Sequence, residues 1–282
     1  MNSSFFKSAG AVETNARMRW IPDEMGVFKP YEVVCFSRPV FVPPGWESTS
    51  HGARRKSVID EMVDSVETGD VSGDSRRKSY NRARNRLFDL LMCTTAFDSF
   101  VTLTLSPDEI DRYNYRAVVD KLGVWLDNRV RRNGLTYTLV PERHKDGAIH
   151  FHGLVNMDGL KVERARYQNS GRLIYDRCKR PIYNVSDFPL GFSTCVPLSG
   201  ENARQATAKY CYKYITKSHG DKVGGRYYLS GGNLGRPRYT YFNADFSAID
   251  AQPIVIGDNA AIVKKVRLNG SERYIPGTDL TF

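Results

Sequence analysis

A chain of 282 residues with 41% hydrophobic and 12% aromatic content can bury a substantial core, which excludes global disorder. No run approaches the ~20 apolar residues of a membrane span, and the opening MNSSFFKSAGAVETNARMRW lacks the basic-then-apolar order of a secretory leader. The formal net charge of +10 favours a polyanionic partner, nucleic acid ahead of membrane, against the plainer reading of a solvated basic surface.

Residues 1–74 read as an N-terminal accessory region and linker. A strand pair is expected at Tyr31 to Phe36 and Pro39 to Val42, followed by the turn Pro43-Pro44-Gly45. The acidic, Gly- and Ser-bearing stretch Val63 to Asp74 has linker composition. From Ser75 the character changes. SRRKSYNRARNRLFDLLMC carries Arg76, Arg77, Lys78, Arg82, Arg84 and Arg86 with no acid among them, then turns apolar. The spacing predicts a helix with a cationic first half, placed either in solvent or against phosphates.

The segment FVTLTLSP alternates at strand period, with Phe100, Thr102 and Thr104 on one side and Val101, Leu103 and Leu105 on the other. Tyr115 to Arg131 has helical spacing at Val118, Leu122, Trp125 and Leu126. Strands are expected at Leu135 to Val140, Ile149 to Asn156 and Phe192 to Leu198, with a hairpin at Leu173 to Val185. Asn202 to Ser218 is helical, and residues 251–282 form a C-terminal accessory segment. The order β-α-β-β, further strands, then α predicts an α+β domain over 75–250, one antiparallel sheet covered by helices. The five cysteines, Cys35, Cys93, Cys178, Cys195 and Cys211, hold no CxxC pair, so neither a zinc knuckle nor a disulfide framework is indicated. A reduced, cytoplasmic protein is the simplest reading.

Three short motifs carry chemistry. In GAIHFHGLV, His150 and His152 share one strand face while Ile149 and Phe151 take the other. Two imidazoles so placed can chelate a divalent ion but make only half a site, and two ordinary exposed histidines would look the same. The preceding strand supplies the rest. With Lys145-Asp146-Gly147 as a three-residue hairpin loop, Gly147 left-handed, Glu142 pairs with His150 and Val140 with His152. One carboxylate and two imidazoles then fit Mg²⁺ or Mn²⁺, with zinc chemically allowed. A four-residue loop would turn Glu142 to the other face. The third motif is AKYCYKYITKS. Tyr210 and Tyr214 lie one helical turn apart, each with a lysine three residues on, Lys213 and Lys217, while Tyr212 points elsewhere. A phenol, with an ordinary pKa of ~10, becomes a competent nucleophile beside an ammonium and a metal-activated phosphate.

In this order, FVTLTLSP, ERHKDGAIHFHGLV and YCYKYITK resemble the three motifs of the His-hydrophobic-His (HUH) endonucleases, over about Arg76 to Phe246. The resemblance is to the replication initiators of small single-stranded DNA phages and rolling-circle plasmids. It implies an RRM-like (ferredoxin-like) sheet, His150 and His152 as metal ligands with Glu142 as the third, and Tyr210 or Tyr214 as nucleophile assisted by Lys213 and Lys217. It also implies nicking and rejoining of single-stranded origin DNA through a 5′-phosphotyrosyl bond, in the host bacterial cytoplasm if phage-encoded. Host replication helicase or polymerase are further candidate partners; neither a membrane nor a nucleotide cofactor is expected. Two departures limit the comparison: the N-terminal cysteine cluster of many related phage proteins is missing, and no GxxxxGK[ST] loop is present. Gly231 to Tyr239 is glycine-rich without that ending, and its Arg236 and Arg238 either bind DNA or brace the sheet. The rival readings are a relaxase or single-strand transposase of the same chemistry, and a non-catalytic RRM-like nucleic-acid-binding protein.

Overall fold

The structure is a computed structural model, and it describes residues 12–42, 75–200, 202–217, 226–256 and 261–268. Two antiparallel sheets and three helices give an α+β architecture. Chain contacts divide it into two units, one of residues 1–82 with 236–282 and one of residues 83–235.

The first unit is built on a sheet whose strands come from both ends of the chain. β1 (Val12–Pro22), β2 (Phe28–Val42), β10 (Arg238–Phe242), β11 (Ile254–Ile256) and β12 (Ala261–Arg267) lie in the order β10-β1-β2-β12-β11. The two strands expected at 31–36 and 39–42 are thus one strand. Between Val40, opposite Thr14, and Cys35, opposite Ala16, the register slips, so Pro39 sits in a bulge where its missing N–H costs the ladder nothing. Ala16, Met18, Val33 and Cys35 pack with Ile249 and Leu268, and Val34, Phe36, Val42 and Val263 form a second cluster. The linker stretch 63–74 lies outside the described residues.

The second unit carries the predicted motifs. Its helices are α1 (Ser75–Cys93), of which residues 83–93 fall here, α2 (Tyr115–Asn133) and α3 (Ala203–Lys217). Its strands are β3 (Ser99–Leu105), β4 (Tyr137–Arg143), β5 (Ile149–Val155), β6 (Val162–Arg164), β7 (Tyr183–Val185), β8 (Gly191–Pro197) and β9 (Leu229–Gly231), in the order β6-β7-β8-β3-β5-β4-β9. Numbering β3, β4, β5 and β8 as first to fourth, the central order is fourth-first-third-second, all antiparallel, the arrangement of a ferredoxin-like sheet. Where that fold places a helix before its fourth strand, this chain has a 3-10 turn at Met157–Gly159, then β6 and β7; its helix α3 follows β8 instead. The expected hairpin at 173–185 is shorter than its sequence span: Tyr175 bridges Pro181, and β7 turns back to pair with β6.

Helix α2 covers one face. Asn114 caps its start, accepting from the Ala117 N–H at 3.2 Å, and left-handed Gly134 (φ 68°) ends it. Its apolar stripe, Val118, Leu122, Trp125 and Leu126, is buried against Val101, Leu103, Leu105, Ile149 and Phe151. The alternation in β3 is therefore the one its sequence predicts, with Val101, Leu103 and Leu105 inward. Phe100, Thr102 and Thr104 are left for the opposite face, over which α3 packs on β4 and β5.

Candidate active site

The β4–β5 turn determines which side chains meet. The His144 N–H donates to the Ala148 carbonyl at 2.8 Å, and the Gly147 N–H donates to the His144 carbonyl at 2.9 Å, leaving residues 145–147 as the loop. Gly147 has φ 89°, a conformation that a side chain would strain. Asp146 steadies the turn by accepting from the Ala148 N–H at 3.0 Å. This three-residue loop sets Glu142 opposite His150 and Val140 opposite His152. One more loop residue would reverse the parity and send Glu142 to the α2 side.

On the open face the Glu142 Oε2 lies 3.2 Å from Nε2 of His150 and 3.2 Å from Nε2 of His152. The ligating atoms of the three residues all fall within 4.8 Å of one another. The His150 and His152 rings meet edge to face, with centroids 4.4 Å apart. Thr102, directly across the ladder from His152, holds the Nδ1 of that ring at 3.0 Å through its hydroxyl. A threonine hydroxyl can donate to or accept from Nδ1. When it accepts, the Nε2 lone pair of His152 faces the Glu142 carboxylate, an arrangement that a divalent cation between them makes favourable. The donor set thus fits a divalent metal ion, Mg²⁺ or Mn²⁺ by its mixed nitrogen and oxygen character.

His150 is buried, at 7% exposure. Burial chiefly, and then the neighbouring His144, hold its pKa below the usual histidine range, against the opposing pull of Glu142. It is therefore neutral at pH 7, the protonation state a metal ligand requires. The exposed His144 packs its ring on that of His150 at 3.9 Å between centroids. His150 Nδ1 has no hydrogen-bond partner, so stacking and burial hold this ring where a hydroxyl holds His152.

Helix α3 brings its tyrosines to this face in different ways. Ala208 and Cys211 are buried, and the Arg204 guanidinium donates to the Met92 carbonyl at 2.7 Å, tying α3 to the end of α1. Tyr210 is 49% exposed and meets the Phe100 ring edge-on at 5.8 Å. Phe100 in turn stacks on His152 at 5.8 Å and an interplanar angle of 11°, so a single aromatic ring separates Tyr210 from a candidate ligand. Tyr212 turns away and packs edge-on against Phe88 at 5.5 Å. The backbone of Tyr214 follows one turn after Tyr210, but its side chain and that of Lys217 lie outside the described residues. Lys213 is exposed.

Of the basic residues, Arg82 and Arg86 are exposed and Arg84 half-buried on α1, whereas the side chains of Arg76, Arg77 and Lys78 lie outside the described residues. Arg86 lies close enough to Tyr228 to oppose electrostatically the upward shift that burial gives that phenol. In the first unit Arg236 is exposed, and Arg238 stacks on the Phe28 ring at 3.9 Å, the bracing alternative of its two expected roles. All five cysteines are free, and burial pushes the Cys211 thiol up to about 12 and that of Cys195 up to about 11, so neither is a nucleophile near neutral pH.

Sequence reasoning placed Thr102 on the right face without giving it a task; its signal was the period-two parity it shares with His152 across the ladder. It missed His144, whose only signal was a third histidine beside the turn. It also missed Phe192. That residue stands opposite Thr104, which stands opposite His150, and it is 59% exposed.

Residues 98–219, from the start of β3 past the end of α3, match the model of a family described as replication-associated protein ORF2. The matched stretch includes Phe100, Thr102, Glu142, His150, His152, Tyr210 and Tyr214. No curated protein and no solved structure matches the chain. Among the described residues no helix is long and apolar enough to cross a membrane.

Proposed function

We propose that this protein is a rolling-circle replication initiator, a metal-dependent endonuclease that nicks and rejoins single-stranded origin DNA through a tyrosine. The observation that carries the reading is the convergence of Glu142, His150 and His152 within 4.8 Å on the sheet face that also presents Phe100 to Tyr210. Binding without catalysis would need neither a neutral, carboxylate-paired imidazole couple nor a phenol beside it. The match of residues 98–219 to a replication-associated family supports the same reading.

Glu142, His150 and His152 would hold the ion, which when bound supplies Lewis-acid polarisation of a phosphate oxygen. Thr102 fixes the His152 ring, and the buried backbone ladder of β4 and β5 fixes all three donors before substrate arrives. The phenolic oxygen of Tyr210 or Tyr214 forms a bond to phosphorus as the bond from phosphorus to the 3′ oxygen breaks. The phenolic proton is lost and the leaving 3′ oxygen takes one up, while the 5′ phosphate stays on the tyrosine. Lys213 and Lys217 offer positive charge to the phenolate and the phosphate oxygens. One phosphodiester replaces another, so a free 3′ hydroxyl can reverse the reaction without ATP. Two tyrosines a turn apart on one helix allow successive cleavage and joining steps to use different nucleophiles.

The direct test is to incubate the protein with origin-derived single-stranded DNA and Mn²⁺, then separate the products under denaturing conditions. A denaturation-resistant protein–DNA adduct that disappears with chelator is the expected result. Its absence at all metal concentrations would overturn the assignment.

A further inference from the structure

In an antiparallel ladder, residues directly opposite one another present their side chains to the same face. Glu142 is opposite His150, His150 opposite Thr104, and Thr104 opposite Phe192. These four side chains form one row running across β4, β5, β3 and β8. Neighbouring strands are about 4.8 Å apart, so Phe192 stands roughly 10 Å from His150 along the row. Only Thr104, a small hydroxyl side chain, lies between them.

An isolated exposed apolar side chain is ordinary on a protein surface. Phe192 differs in position and in what surrounds it. It is 59% exposed although it begins a central strand whose inward neighbours Ser193 and Cys195 are buried. No aromatic ring or cation packs on it among the described residues, whereas Phe100, on the same face, is engaged by both His152 and Tyr210. The backbone beside it is shaped for close approach. Gly191 has φ 145°, and a Cβ there would overlap the Thr104 carbonyl and the Ser106 amide, so glycine lets β8 begin against β3 with Phe192 in this register.

We infer that Phe192 floors a nucleobase subsite. An unpaired base of the strand whose phosphate lies at Glu142, His150 and His152 stacks on its ring, and Thr104 leaves the path between them open. This inference rests on the proposed reaction for the identity of its ligand. An unpaired strand suits the feature, because every base carries a π face and stacking on aromatic side chains tolerates any sequence. The net positive charge of the chain complements the backbone of such a strand. The subsite fixes which phosphate reaches the triad, since a base held on Phe192 sets the register of the strand along the row.

The test uses the full chain and a fluorescent origin-derived oligonucleotide, with binding read by anisotropy in chelator so that no chemistry intervenes. Phe192→Ala weakens binding about tenfold, Phe192→Trp retains it, and Phe192→Leu stays weak because it is apolar without a π face. Single abasic replacements along the oligonucleotide supply the second arm. One position weakens wild-type binding by a similar factor and has no further effect on Phe192→Ala. If every abasic position costs the alanine variant as much as the wild type, or if the alanine variant binds normally, the subsite is refuted. Thermal melting of each variant checks that the exposed position leaves the fold intact. Adduct formation in Mn²⁺ is scored separately. Loss of the stacking effect with adduct retained refutes the subsite alone; stacking retained with no adduct from wild type refutes the reaction alone.

Discussion

Thr102→Val removes one hydrogen bond and almost nothing else. The side chains have the same shape, Thr102 is half-buried on the open face, and its hydroxyl lies 3.0 Å from the His152 Nδ1. A neutral hydrogen bond of this kind contributes about 0.5–1.5 kcal/mol, and partners that orient a ligating histidine typically change metal affinity by about 10–100-fold. The site has a second tether, since Glu142 also contacts His152 at 3.2 Å, so the low end of that range applies. Mn²⁺ affinity measured by titration calorimetry should fall about tenfold, or ~1.4 kcal/mol. Adduct yield against Mn²⁺ concentration should shift by the same factor and reach the wild-type plateau at saturation, because the ligands themselves are intact. Thr102→Ser, which keeps the hydroxyl, should restore the affinity. A valine variant with unchanged half-saturation would refute the idea that Thr102 orients the ring. A lowered plateau at saturating metal would show instead that the residue touches the reacting strand.

Other outcomes follow from the same geometry. His150→Ala or His152→Ala should abolish the adduct while leaving single-stranded DNA binding within a few-fold; nicking by the double variant would remove the metal assignment. Tyr210→Phe and Tyr214→Phe should each retain some adduct and together retain none, with Tyr212→Phe reacting normally because that ring packs on Phe88. Mass spectrometry of the trapped nucleopeptide locates the linked tyrosine, and a nucleotide on Tyr212 would show the wrong helix face had been chosen. Replacing Arg82, Arg84 and Arg86 with Gln should flatten the salt dependence of binding by ~2 units, at ~0.7 per phosphate on a single strand; an unchanged slope returns that helix face to solvent. Gly153→Ala puts a Cβ into the Thr138 carbonyl and the Leu139 backbone, which cannot swing aside, so it should destabilise the domain by about 1–3 kcal/mol in denaturant unfolding.

The triad was legible because its determinants are local. Two histidines at strand spacing, a glycine at a left-handed turn position and a glutamate on the preceding strand fix one another within nine residues, Glu142 to His150. Helix α2 was legible for the same reason, its stripe and its following glycine being contiguous. What could not be read depends on partners far apart in sequence. That β8 lies beside β3 is a choice made by the whole sheet, and it alone brings Phe192 into the row of His150. The contact of Tyr210 with Phe100 joins residues in the first strand and the last helix of that unit. β1 escaped notice because Arg17 and Arg19 occupy alternate positions that look solvated. In fact both are buried, Arg17 over the Tyr239 ring at 4.5 Å and Arg19 beside the buried Glu32, and those partners come from other strands.

The two halves of the candidate site are held by different kinds of structure, and the difference suits the proposed chemistry. Glu142, His150 and His152 sit on adjacent strands, where ladder hydrogen bonds and a three-residue turn leave their backbones almost no freedom. A group that must present the same donors in every cycle gains from that rigidity, since each misplaced donor costs affinity. The tyrosines are on a helix whose buried contacts, Ala208, Cys211 and the Arg204 bond to Met92, lie on its inner side. Tyr210 itself meets the metal face through the edge of Phe100 and remains half exposed. A side chain that alternates between free phenol and phosphodiester must accommodate an added phosphate and strand, which a close-packed position would exclude. Phe100 reconciles the two demands: stacked on His152 and edge-on to Tyr210, it sets the distance between donor and nucleophile by ring thickness and leaves the tyrosine half exposed.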